Sequence, residues 1–414
     1  MADDTYQCDT GKRIAAGLFL SSLSAGLVNG IWTWFTDPRA VYRNGTTYFG
    51  WIDSTGSTGV TKYTHATGGV ESFTLSASLQ TDDHNNVAIH FLSDGRLVCY
   101  YSKHNDSSGL RYRISVSAED VSAFDAEVVV SGGVSLPVTY ANPLRLSADP
   151  LGREWLFYRS GGGGATTSRM AYITSTDMAS WSAQVGVWEG SGNTPYYKIK
   201  SDGESRIHFA ATNFHPVQGQ SSLYHFYADV SPADGSITWH QSDGASILGA
   251  LPHYTADATQ VYDGSTVRCW VWDIAIDGAG NPRILGTRYP NNDGTDIRYM
   301  SWTWNGSTWV EAEITTDGQG LYSGEIYYAG GLCFDAADPN YVYLSAPVAG
   351  VREIQKWRTT DNGLSWTKVE DITSGSVGVL NARPYSPRAG EVLFWSGAYT
   401  TFTSYNTAVK RYGA

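Results

Sequence analysis

Cysteine, methionine and proline are scarce in this 414-residue chain, at 4, 4 and 14 residues. Four cysteines are too few for a disulfide-built scaffold. Three of them, Cys99, Cys269 and Cys333, lie in apolar strand-like runs such as LVCYY and VRCWVWD, where buried free thiols are expected. Charge is thin as well: 16% of residues, with 28 Lys and Arg against 40 Asp and Glu, for a net charge of −12. Nucleic-acid binding draws on a surplus of basic residues, so no nucleic-acid partner is expected. An anionic substrate stays open, because a local basic pocket can sit on an acidic surface. No apolar run reaches the ~20 residues that a membrane-spanning helix needs, so no membrane partner is expected. The start, MADDTYQCDTGKR, lacks a basic n-region and the AAGLFL run behind it is short, so no signal peptide is legible.

What the chain does have is aromatic and apolar mass: 42% hydrophobic residues, 13% aromatics, 15 Trp, 27 Tyr and 45 Gly. That content excludes intrinsic disorder. Many aromatics and glycines with little charge suit short strands and tight turns, so the fold class is all-β. A turn followed by an apolar strand recurs as RNGTTYFGWID, SDGRLVCYYSKH, PLGREWLFYRS, SDGESRIHFAAT, DGAGNPRILGTR, DPNYVYLSAP and RAGEVLFWSGAY. Measured at Gly45, Gly95, Gly152, Gly203, Gly280, Asn340 and Gly390, the spacings are 50, 57, 51, 77, 60 and 50 residues. Units of that length holding several short strands are propeller blades, and seven copies predict a single-domain, seven-bladed β-propeller over 31–414. Residues 1–30 are expected to take part in its closure. A closed ring has no edge strand demanding a partner, so a monomer is expected. TTDNGLSW (359–366) matches the Asp-box pattern, and STDMASW (175–181) is a shortened version; both are structural. The long fourth interval holds NFHPVQGQSS and QSDGASILGALPHYTAD, expected as walls of a binding site.

Candidate chemistry begins at Asp82-Asp83-His84-Asn85-Asn86, a polar stretch before the strand VAIHFL, whose partner strand leads out through Ser102-Lys103-His104-Asn105. Two antiparallel strands of one blade start and end at the same rim, so His84 and His104 are predicted to face one pocket. In the next blade the same geometry brings Tyr140 and Arg159 to that rim. Two histidines, a tyrosine and an arginine form an acid–base set with a cation for a carboxylate. The alternative from spacing alone is a turn network at His84 and packing between blades at Tyr140 and Arg159.

WTWFTDPRAVY (32–42), DDHNN (82–86), SKHN (102–105), YANPLRL (140–146), LFYR (156–159), WVWDIAID (270–277), YYAGGLCFDAADPNYVYLS (327–345) and RPYSP (383–387) together resemble the ulvan lyases of polysaccharide lyase families 24 and 25, in order along nearly the whole chain. Ala141 stands where those relatives are expected to carry Pro, and Lys103 where they commonly carry Arg. The resemblance implies a seven-bladed propeller that cleaves an acidic, uronic-acid-containing polysaccharide by β-elimination. It implies His84, His104, Tyr140 and Arg159 as the catalytic set, with His84 as base, Tyr140 as acid and Arg159 on the carboxylate. Asn85, Asn86, Lys103, Asn142, Tyr158 and Arg39 are the implied substrate contacts, and secretion or export to the periplasm is the implied location. No organic cofactor is expected.

A structural metal, zinc or calcium, is a further expectation, with His215, His225 and Cys269 as ligands because zinc favours nitrogen and sulfur donors. Two other functions compete. A sialidase-like hydrolase would draw on Asp37, Arg39, Asp82, Asp83 and Glu325, but it leaves the histidine pair unexplained. A carbohydrate-binding propeller would use rim aromatics alone.

Overall fold

The computed structural model describes residues 22–161, 168–189 and 195–413. Among them regular structure is β throughout, apart from one 3₁₀ turn at Asp83–Asn85. Seven antiparallel sheets succeed one another along the chain as the blades of a propeller. Their inner strands are Ala40–Arg43, Ala88–Phe91, Val138–Arg145, Tyr196–Ser201, Arg268–Ile276, Leu332–Phe334 and Leu380–Arg388. Each repeated turn joins an inner strand to the second strand of its blade. Gly45, Gly95, Gly152, Gly203, Gly280 and Gly390 all have φ between 62° and 85°, a region where a side chain is strained, which is why glycine recurs there.

Blade stacking explains the composition of the strands. The second strand of a blade is covered on both faces by neighbouring blades, so EWLFYRS at Glu154–Ser160 is buried along its whole length. Outer strands such as Thr367–Asp371 are largely exposed and polar. Cys99, Cys269 and Cys333 are buried free thiols inside this packing; Cys8 lies outside the described residues. In the Asp box, Thr359 Oγ1 accepts from Gly363 N at 2.8 Å and Asp361 Oδ1 from Ser365 N at 2.9 Å. Trp366 Nε1 then donates to Ser301 of the neighbouring blade.

Closure uses both ends of the chain. Ser22–Leu23 and Val28–Asn29 pair with Ser404–Gly413 and form the outer edge of blade seven. Next, residues 31–39 run along the central axis. Trp32 Nε1 donates to Arg383 O in blade seven, and Thr33 N to Asp83 O before blade two. Trp34 stacks on Trp272 of blade five at 4.0 Å and 8°, and Phe35 packs on Tyr140 and Tyr196 of blades three and four. Only a segment on the axis reaches so many blades, and it closes the channel with aromatic rings.

The long fourth interval divides in two. Part of it is a fifth strand, Thr259–Tyr262, added beside Leu223–Val230. The stretch around His253 bridges Trp188 of blade three and covers the outer edges of the blades, away from the axis. The 213–222 loop alone turns toward the central cleft.

Candidate active site

The cleft lies where the inner strands begin. It has a volume of about 220 Å³ and its lining includes His84, His104, Asn105, Arg159, Tyr196, His215, Glu325, Tyr328 and Phe402. A larger cavity of about 350 Å³ opens at the other end of the axis, beside Asp37, Asp273 and Tyr385. Its inner carboxylates are already used: Asp37 pairs with Arg39 and Lys198, and Asp273 accepts from Phe334 N.

Local chain geometry sets the histidines. Asp82 caps the 3₁₀ turn by accepting from His84 N at 2.9 Å, while Asp83 N donates to Phe402 O at 2.8 Å. The turn is thus pinned between the axial segment and blade seven. Asp82 then bridges both imidazoles, with Oδ1 at 2.5 Å from His84 Nδ1 and Oδ2 at 3.1 Å from His104 Nδ1. The two rings stack at 4.0 Å and 8°, and Phe402 meets both edge-on.

Stacked rings this close do not both carry charge. His84 is the cation. Burial works against its imidazolium, but Asp82 and Asp83 outweigh it and raise its pKa to about 9. Its remaining nitrogen, Nε2, lies 3.2 Å from the Tyr328 hydroxyl, so both ring nitrogens are engaged. Beneath it, Asp83 is held by fully buried Arg383 at 2.6 Å and by the Tyr399 hydroxyl at 2.9 Å. His104 is the neutral partner: burial and then the His84 charge lower its pKa to about 4. Its Nδ1–H is directed at Asp82, which leaves Nε2 as an unprotonated acceptor with no hydrogen-bond partner among the described residues.

The neighbouring wall is built by blade three. A bulge between Thr139 and Asn142 puts Tyr140 at φ 63°, in the left-handed region, and swings its ring under the cleft. Arg159 from the second strand lies over the Tyr140 ring at 4.6 Å and over Tyr196 at 5.2 Å. Arg159 Nη1 and the Tyr140 hydroxyl are both buried without a hydrogen-bond partner. Burial raises the Tyr140 pKa well above that of free tyrosine, with Arg159 opposing, so the phenol stays protonated. His215 completes the wall. Val217 N donates to its Nδ1 at 3.1 Å, which makes Nε2 the protonated nitrogen of a ring whose pKa burial and Arg159 lower to about 3.

The structure therefore brings His84, His104, Tyr140 and Arg159 together, and places other predicted contacts elsewhere. Asn86 accepts from Thr33 N, Asn142 spans Asp37 N, Phe35 O and Tyr140 O, and Asn85 donates to Gln80 O. These amides are consumed by backbone groups that burial would otherwise orphan. Tyr158 is inside blade three and donates to Gln184, Arg39 is buried on Asp37 and Tyr385, and Lys103 is not part of the cleft lining. The three proposed metal ligands are dispersed. His215 faces the cleft, His225 contacts His208 and Ser242, and Cys269 Sγ donates to Ser221 O. Among the described residues the one group of three metal-competent side chains is Asp82, His84 and His104. Parallel stacked rings direct their in-plane lone pairs alongside one another rather than at a common point, so this trio fits a shared proton better than a chelated ion. Tyr196, Tyr328 and Phe402 were not singled out from the sequence, because they come from other blades; Tyr328 lies in the YYAGG motif, whose spacing does not place it against His84.

The sequence profile of the BNR repeat-containing family matches residues 46–317, well over half of the chain. Among solved structures, a polysaccharide lyase, the PL25 ulvan lyase bound to -[GlcA(1-4)Rha3S]-, superposes with a TM-score of 0.73 at 14% identity, over 94% of this chain and 95% of that one. A second structure of a PL25 ulvan lyase gives 0.72 at 14% identity with the same coverage. The BP39L lectin from Burkholderia pseudomallei gives 0.52 at 9% identity, over 91% of this chain and 96% of that one. No curated protein matches. These likenesses agree on the propeller fold, and the match to the repeat profile shows that the chain belongs to the BNR repeat-containing family.

Proposed function

We propose that this protein is a polysaccharide lyase that cleaves an acidic, uronate-containing polymer by β-elimination. The observation that carries the reading is the pair of stacked histidines on one carboxylate, one charged and one neutral, facing the same cleft as Arg159, with the Tyr140 ring packed against His84 and Arg159 just beneath. The fold shared with a polysaccharide lyase supports it.

Elimination removes the proton on the carbon beside the carboxylate and expels the oxygen on the next carbon. The proton is weakly acidic, so the developing enediolate must be held by donors already in place. Arg159, whose Nε and Nη1 have no hydrogen-bond partner while Nη2 donates to Asn105, grips the carboxylate, and the Tyr196 hydroxyl and the His215 Nε2–H stand beside it. His104 Nε2 takes the proton. This revises the sequence-based choice of His84, whose nitrogens are both occupied and which carries the fixed positive charge instead. The substrate carboxylate itself offsets the Arg159 charge that depresses His104 and so strengthens the base as it binds. The protonated Tyr140 hydroxyl gives its proton to the departing glycosidic oxygen. The products are an unsaturated uronate end and a free sugar hydroxyl.

A hydrolase would need a second working carboxylate, or a tyrosine nucleophile backed by a Glu with several arginines gripping the acid. Arg159 is the one arginine lining the cleft among the described residues. Asp82 and Asp83 are committed to histidine and arginine, which leaves Glu325 as the one carboxylate lining the cleft among the described residues. The test is ultraviolet absorbance during incubation with ulvan, desulfated ulvan and other uronate polymers. Rising absorbance from the unsaturated product is expected, and its loss in His104→Ala. New reducing ends without absorbance would refute elimination. Binding with no cleavage of any polymer would indicate a lectin.

A further inference from the structure

Glu325 is not used by the chemistry above, yet it stands in the cleft wall. It lies in the connection from blade five to blade six, where a tight turn pairs Tyr322 with Glu325 and Tyr328 N donates back to Glu325 O at 3.0 Å. That turn fixes the backbone and leaves the carboxylate to face the cleft. Oε2 is buried with no hydrogen-bond partner. His215 Nε2 lies 3.6 Å from it, too long for a hydrogen bond.

The position of this carboxylate follows from a row of contacts. Arg159 lies 5.2 Å from the Tyr196 ring, Tyr196 lies 5.5 Å from the His215 ring, and His215 lies 3.6 Å from Glu325. The cation and the carboxylate are therefore at opposite ends of one wall. A polymer that seats its uronate on Arg159 places a neighbouring sugar at Glu325.

We infer that Glu325 selects the substrate: it accepts a hydroxyl of the sugar beside the uronate and excludes a sulfate ester at that position. The inference rests on the lyase reading and narrows it to uronate polymers whose neighbouring sugar is unsulfated where it meets this wall. Neither oxygen of this carboxylate has a hydrogen-bond donor among the described residues, its side chain is 24% exposed in the cleft wall, and a sugar hydroxyl entering the cleft supplies a donor. A sulfate supplies no donor and adds a like charge beside the carboxylate. Burial also raises the Glu325 pKa, with the His84 charge opposing, which is the signature of a carboxylate short of partners.

Ulvan and the same polymer after chemical desulfation separate the alternatives. For the unaltered protein, elimination at least about tenfold more efficient on the desulfated polymer is expected, the range in which an unpaired polar group or an opposing charge discriminates. Glu325→Gln keeps the shape and removes the charge. It is expected to bring the two efficiencies within about threefold, chiefly by raising the rate on sulfated ulvan. Equal or better cleavage of sulfated ulvan by the unaltered protein overturns the inference without any variant. So does a Glu325→Gln variant that slows both polymers alike. If neither polymer is cleaved, the lyase reading has failed, and the ratio of the two dissociation constants from calorimetry decides the Glu325 question separately.

Discussion

The charge on His84 gives the site a measurable stake in the stability of the whole fold. Its pKa is raised from 6.5 to about 9 by two carboxylates, in a ring whose side chain is 4% exposed. Below pH ~6.5 this histidine is protonated both folded and unfolded, so the stabilisation is complete there. Between pH 6.5 and 9 the unfolded chain loses the proton while the folded protein keeps it, so stability declines as pH rises through the folded value. The shift corresponds to about 3 kcal/mol at 1.36 kcal/mol per unit. Over a chain of this length that is a fall of about 4 °C in Tm. The window is clear of the other buried histidines. His104, His208 and His215, lowered to about 4, 4 and 3, oppose folding only as pH drops below about 6.5. Thermal unfolding followed by tryptophan fluorescence across pH 6 to 9.5 measures the effect. His84→Gln is expected to have a lower Tm and a profile that is level from pH 6.5 to about 8, above which the buried thiols of Cys99, Cys269 and Cys333, pushed up by burial, add their own decline. Asp82→Asn is expected to keep part of the slope through Asp83. A flat profile in the unaltered protein, or an unchanged slope in His84→Gln, would refute the charge assignment.

Three further outcomes are expected. Elimination rates should fall as pH drops toward about 4, where His104 gains a proton, and again above about 9, where His84 loses its charge; initial rates by absorbance show both limbs. Arg159→Lys keeps the charge but removes the fork, and should lower kcat by about 10²–10³-fold, the usual loss for a donor to developing negative charge; unchanged kcat would place the carboxylate elsewhere. Trp34→Ala removes the ring stacked on Trp272 and should cost about 3–5 kcal/mol, read from denaturant unfolding, because the aromatic layer around it cannot collapse into the gap.

The fold was readable because its punctuation is local. A turn that needs positive φ takes glycine, and six such glycines with Asn340 mark the first hairpin of each blade. The pairing of His84 with His104, and of Tyr140 with Arg159, was readable for the same reason, since each pair flanks one hairpin. What stayed hidden is what the ring closure assembles. Tyr328 reaches His84 across 244 residues of sequence, and Arg383 reaches Asp83 across 300. No spacing rule joins them. The resemblance implies Asn85, Asn86 and Asn142 as substrate contacts; here Asn86 and Asn142 satisfy the backbone of the axial segment, and Asn85 satisfies Gln80 O. His215 was grouped with other histidines by proximity in sequence, whereas its loop carries it to the axis and theirs remain in the blade.

The outer edge of blade seven has a kinetic consequence. Val28 pairs with Val409 and Ser22 with Gly413, so this seam joins segments almost a whole chain apart. Closing a loop grows costlier with the logarithm of its length, so this seam costs roughly 3 kcal/mol more to close than a ten-residue hairpin does. The blades form from local hairpins, and the ring is fastened last. The same seam is where the ring unzips first: with the 22–29 segment detached, Ser404–Gly413 becomes a bare edge open to pairing with another chain. Proteolytic nicking or aggregation on mild heating should therefore begin at this seam, while the cleft on the axis is still intact.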